Sequence, residues 1–181
     1  MPSFVAFLRG INVGKANRLP MAELRGLLAK LGYAEVTTLL NSGNAVFQAA
    51  SGTSARHAGN ISGAISKRFG LDVPVIVKSV KELSAIIAEN PITADSAVHP
   101  RFLVALVQDA KALAAIRAIE SLAVAPERFA VGHNAAYLLC ANGILESKAA
   151  AALLGKTGRA ATSRNLATLL KLEALANGRA G

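Results

Sequence analysis

Phe4-Val5-Ala6-Phe7-Leu8-Arg9-Gly10-Ile11-Asn12-Val13-Gly14-Lys15-Ala16-Asn17-Arg18 is an apolar run that breaks into a polar, basic loop containing two glycines. The run is rich in strand formers, although it alternates poorly. Downstream of the loop, Met21, Leu24, Leu27, Leu28 and Leu31 recur at helical spacing, with Pro20 suited to the first turn and Gly32 to a left-handed stop. The reading is strand, loop, helix. Val36–Leu40 and Ala45–Ala49 follow as two strands joined through Asn41-Ser42-Gly43-Asn44, a composition typical of a tight hairpin. A helix over 54–69 presents Ala58, Ile61, Ile65 and Phe69 on one face. Val73–Lys78 then reads as a strand whose Pro74 puts it at an edge or a strand start. The order βαββαβ is the ferredoxin-like pattern, and it predicts an α+β fold with a first subdomain over 1–79.

The second subdomain, 80–181, reads as a smaller α+β unit that repeats similar parts in a looser order. A short helix is expected over 80–89, a strand over 101–108, and a helix over 111–121 with Leu113, Ile116 and Ile119 on its apolar side. A second hairpin, 128–132 and 136–141, turns around His133-Asn134. Two helices are expected at the end, 147–154 and 163–176, the latter opened by Thr162-Ser163 as an N-cap.

Of the 181 residues, 52% are hydrophobic, which suffices for one good core or two small ones. Apolar runs fall far short of the roughly 18 residues that a membrane span requires. No signal-like segment precedes the first strand, so a cytoplasmic, non-membrane protein is expected. Cys140 is the single cysteine and lies in an apolar run, where it reads as a buried small hydrophobe. The net charge of +9 is unevenly placed. Arg9, Lys15, Arg18, Arg25 and Lys30 outweigh Glu23 in the first thirty residues; Lys148, Lys156, Arg159, Arg164, Lys171 and Arg179 outweigh Glu173 at the other end. The middle is balanced. A basic excess favours anionic partners.

Topology alone yields a site. In a βαββαβ sheet the first and third strands are central and antiparallel, so the loop over 9–19 and the turn over 41–44 share one edge. Arg9, Gly10, Asn12, Lys15, Arg18, Ser42, Gly43 and Asn44 are the candidate ligand-binding residues there, beside the positive end of the Pro20 helix. Such an edge suits a phosphate or carboxylate. Arg164 and Asn165 are a further candidate, because a cation in a first helical turn opposes the macrodipole unless an anion lies beside it. Tight turns alone also explain many Gly and Asn residues.

Arg9-Gly-Ile-Asn-Val-Gly14, Pro20-Met-Ala-Glu-Leu-Arg25, Asn41-Ser-Gly-Asn44 before Val46-Phe47, Ser147-Lys148 and Thr162-Ser-Arg-Asn165 together resemble the bacterial family called domain of unknown function 1697. The resemblance implies an α+β fold of two subdomains, the first ferredoxin-like, and supplies no reaction. In that family Arg-Asn is usually followed by Trp and then Asn-Thr, whereas Leu166, Ala167 and Thr168 stand here.

Enzyme constellations are mostly absent from the sequence. The three histidines, His57, His99 and His133, are dispersed, and no paired metal-ligand spacing occurs, so no metal site and no cofactor are expected. Gly155-Lys-Thr-Gly158 lacks the context of a phosphate-binding loop. The best reading is a site for an anionic small ligand, with charge stabilisation rather than covalent attack if a reaction follows. A nucleic-acid-binding module ranks below it: aromatics make up 4% of the chain, and Phe7 and Phe47 are the one plausible stacking pair. A structural or homo-oligomeric interaction protein is the third reading.

Overall fold

All six residues of β1 (Ser3–Leu8) are buried, which accounts for its poor alternation: both faces are covered. Phe4, Ala6 and Leu8 face a core shared with Leu24, Leu27 and Leu28 of α1 (Met21–Lys30) and with Ala58, Ile61 and Ile65 of α2 (Ser54–Phe69). Val5 and Phe7 point the other way and are fully buried there. The computed structural model describes residues 1–178; Arg179, counted above with the C-terminal charge, lies outside them.

β2 (Ala34–Leu39), β3 (Asn44–Gln48) and β4 (Val75–Ser79) complete the first sheet in the order β2-β3-β1-β4, every pair antiparallel. The first and third strands are therefore central, as the βαββαβ reading requires. β4 runs directly into α3 (Val80–Glu89). Helix ends follow local chemistry. Thr53 caps α2 by accepting from the Arg56 N–H at 3.2 Å, and Gly70, at φ 65°, stops it in the left-handed region.

The second sheet holds β5 (Phe102–Val107), β6 (Arg128–Val131), β7 (Ala135–Leu139) and β8 (Ala161–Asn165) in the order β6-β7-β5-β8. Its helical segments are α4 (Leu113–Ile116) and α5 (Lys148–Leu154), and α6 (Leu166–Asn177) follows β8. The looser order expected for this half is in fact the same βαββαβ topology with the same strand order, each copy ending in a helix. The helix expected over 111–121 is a short α-helix flanked by 3₁₀ turns. Its buried residues Leu113, Ile116 and Ile119 recur every three positions, the 3₁₀ period.

One element is corrected outright. The final helix begins at Leu166, and Thr162-Ser163-Arg164-Asn165 belongs to β8, with Arg164 opposite Val104 and Thr162 opposite Leu106. Pairing with Leu103–Val107 of β5 satisfies backbone groups that an N-cap at Ser163 would have left outside the ladder. By its internal contacts the chain falls into two compact units, Met1–Leu83 with residues 172–178, and Ser84–Lys171.

Candidate functional site

Phe7 pairs with Asn44, so the loop leaving β1 and the turn entering β3 meet at one sheet edge. The Leu8 N–H donates to the Gly43 carbonyl at 2.9 Å. Asn12 closes the loop. Its Nδ2 donates to the carbonyls of Leu19 and Asn41, each at 2.8 Å, while its Oδ1 accepts from the Leu19 N–H at 2.9 Å. Asn12 and Asn17 have φ of 56° and 51°, a region that Asn tolerates better than most residues, and Asn17 Nδ2 donates to the Gly10 carbonyl at 3.2 Å. Asn44 is buried and donates from Nδ2 to the Leu39 carbonyl at 2.8 Å and to Ser42 Oγ at 3.1 Å.

Gly43 is the one position at this edge where a side chain has no room. At φ 94°, a Cβ would stand 2.7 Å from Ile11 Cδ1 and 2.8 Å from Leu8 Cβ. Asn12, Ser42, Gly43 and Asn44 thus act as the frame, and the polar atoms of Asn12 are engaged within it. The charges are carried by other residues. Lys15 and Arg18 are exposed, and Arg9 is half-buried, where burial pushes its guanidinium below the ordinary arginine value. Pro20 gives α1 no side-chain cap, so the first-turn N–H groups beside the loop lack one. Glu23 of that turn is paired with Arg68 at 3.0 Å.

Arg164 and Asn165 lie in the second unit. Arg164 Nη1 donates to the Ser163 carbonyl at 2.9 Å, and burial lowers its guanidinium to about 10. Asn165 has a cap's role, its Oδ1 accepting from the Thr168 N–H at 2.8 Å. Arg164 stands in a strand, not in a first helical turn, so no helix dipole there calls for an anion beside it. Gly158 is demanded by packing: a Cβ there would lie 1.8 Å from the Leu153 carbonyl oxygen. Cys140 is buried, and burial raises its thiol. Phe7 and Phe47 are fully buried, and Phe47 stacks on Phe4 and tilts against Tyr33, which removes the pair from any surface.

Two clusters escaped the sequence reading. Lys78 is 7% exposed in β4; burial lowers its ammonium and the charge of Glu82 opposes that. Burial would raise the Glu82 carboxyl, but hydrogen bonds from Ser54 and Ser79 and the charge of Lys78 outweigh it and hold it below the usual range. A lysine in the apolar run Val75-Ile76-Val77-Lys78 was the available signal. The second cluster surrounds His57, which occupies the α2 stripe one turn before Ile61; helical spacing of a histidine with core residues could have found it. Among the described residues no group of three or more His, Cys, Asp or Glu could hold a metal, and no helix is long and apolar enough to cross a membrane.

Residues 1–137 match the family described as protein of unknown function (DUF1697). No curated protein matches the chain. The solved structure of the conserved bacterial protein SP0830 from Streptococcus pneumoniae is similar, with a TM-score of 0.80 at 23% identity, covering 97% of this chain and 98% of that one. At that identity the likeness speaks for the fold. The family match ends before Ser147-Lys148 and Thr162–Asn165, so those two motifs lie outside the matched residues. The chain belongs to the DUF1697 family.

Proposed function

For this DUF1697 protein we propose that the sheet edge formed by residues 9–19 and 41–44 binds a small phosphate-bearing ligand. The observation that carries the reading is one braced loop bearing three cations, Arg9, Lys15 and Arg18, and no carboxylate between residues 9 and 19. Asn12 fastens that loop to Asn41 and Leu19, so little ordering entropy remains to be lost on binding. The neighbouring first turn of α1 adds its partial positive charge. Arg9, Lys15 and Arg18 would contact the anion, while Gly10, Asn12, Ser42, Gly43 and Asn44 hold the backbone around it. Any chemistry there would proceed by positioning and charge stabilisation.

Thermal unfolding with adenosine monophosphate or inorganic pyrophosphate tests the proposal. A ligand at a hundred times its Kd stabilises by about 2.7 kcal/mol, and Arg9→Ala should abolish the accompanying rise in Tm. A flat response to both probes, or an equal rise in Arg9→Ala, would overturn it.

A further inference from the structure

A recess of about 280 Å³ opens in the second unit between the helical segment that follows β5 and the turn that joins β6 to β7. Leu106 of β5 pairs with Ala135, so the topology that sets 9–19 against 41–44 in the first copy sets the residues after Val107 against His133-Asn134 here. Lys111, Leu113, Ala114 and Arg117 line one side, Gly132 and His133 the other. We propose that this recess binds a short aliphatic dicarboxylate, with one carboxylate on Lys111 and the other on Arg117.

The helical side is built on a three-residue period. Residues 110–112 and 117–122 are 3₁₀, and only 113–116 are α-helical. Side chains three apart eclipse one another in 3₁₀ turns. Leu113, Ile116 and Ile119 form the buried row, and Lys111, Ala114 and Arg117 form a second row along the recess. The single methyl of Ala114 between two long cationic side chains leaves the groove open.

The turn side is already ordered. Asn134 donates to the Glu89 carboxylate from its backbone N–H at 2.9 Å and from Nδ2 at 3.2 Å, and the Tyr137 hydroxyl donates to it at 3.1 Å. Gly132 has no room for a side chain, since a Cβ would stand 2.6 Å from Glu89 Oε1. His133 is thus carried on a braced turn, and little ordering of the backbone remains to be lost on binding.

The ligand class follows from the charges and their spacing. Lys111, Arg117 and His133 are exposed, and among the described residues none of their side chains makes an ion pair or a hydrogen bond. The carboxylates nearby in the chain and the fold do not neutralise them. Asp109 accepts from the Lys111 N–H at 2.9 Å, Glu89 is held by the turn, and Glu120, one turn past Arg117, makes no ion pair and does not line the recess. Two cations therefore border a recess that no carboxylate lines. At 1.5 to 2.0 Å per residue, their backbones stand about 9–12 Å apart along the segment, which suits two separated anionic groups better than the oxygens of one phosphate. Leu113 and Ala114 between them match an apolar chain joining those groups, and the Arg117 guanidinium can hold a carboxylate through two parallel N–H bonds. The His133 imidazole adds a donor from the opposite wall.

The probe is sodium glutarate, with sodium valerate and inorganic phosphate as controls at matched ionic strength and fixed pH. The readout is the His133 Cε1–H resonance of the full chain, assigned through a His133→Gln variant. Glutarate should shift it saturably, and valerate and phosphate should bind about tenfold more weakly or not at all. Lys111→Gln and Arg117→Gln should each weaken glutarate binding about tenfold or more. Arg9→Ala should leave it unchanged, which separates this site from the loop. No saturable shift with glutarate, equal affinity for valerate or phosphate, or undiminished affinity in either glutamine variant would each overturn the proposal. Circular dichroism of the two variants, both at exposed positions, establishes that they are folded.

Discussion

A charged imidazole at position 57 would face three aromatic rings, and the guanidinium of Arg56 lies close by. Burial, and secondarily Arg56, push the His57 imidazole below its ordinary value. In the unfolded chain the same ring titrates at about 6.5. Between the lowered folded value and about 6.5 the unfolded state therefore holds more protons, and stability must rise with pH. Above that window the contribution is complete; as pH falls through the window it is lost. Urea midpoints measured from pH 4.5 to 7.5 should show this slope, and His57→Gln should flatten the histidine part of it. Glu82 works in the same sense at lower pH, since its carboxyl is held below the usual range and must be protonated against Ser54, Ser79 and Lys78. An unchanged slope in His57→Gln would mean that the neutral imidazole contributes nothing to folding.

At the scale of elements, β1 and β5 are each buried along their whole length, and this decides what could be read from sequence. A strand covered on both faces shows a continuous apolar run, which marks its existence clearly and its facing poorly. The first βαββαβ copy was legible because its helices keep a 3.6 period and its turns carry Pro, Gly and Asn. β8 was not legible, because Thr162-Ser163-Arg164-Asn165 resembles a helix cap and contains no large apolar side chain; only pairing with β5 makes it a strand. The cap is real but displaced to Asn165. Asn165→Ala should therefore lower stability by about 1 kcal/mol through loss of the Thr168 contact, whereas Ser163→Ala should change it by less than about 0.5 kcal/mol. Equal costs at the two positions would contradict the assignment. The loop and turn were legible as neighbours for the same topological reason that the first copy was. The surroundings of His57 were not, since they depend on Tyr33, before β2, and Gly52, before α2, closing on one ring.

On the scale of the whole molecule, the two copies can be compared position by position. β1 and β4 pair Val5 with Lys78, and β5 and β8 pair Val104 with Arg164, so a shielded cation stands at the same register in each sheet. The copies differ most where the first strand ends. In the second copy β5 stops at Val107 and the next helical turn starts at Ala110; in the first, β1 stops at Leu8 and α1 starts at Met21. The topology is satisfied by the short connection, so it does not itself require the long loop with its three cations. Ile11 and Leu19 are buried and tie that loop to the core, but Lys15 and Arg18 are exposed and serve no packing. A Lys15→Gln/Arg18→Gln double variant should accordingly keep its urea midpoint, within about 0.5 kcal/mol of stability, as exposed substitutions commonly do. The same variant should lose most of the pyrophosphate response, because two of the loop's three positive charges are gone. A large loss of stability would instead assign these cations to the fold, and an intact response with intact stability would move the anion away from the loop.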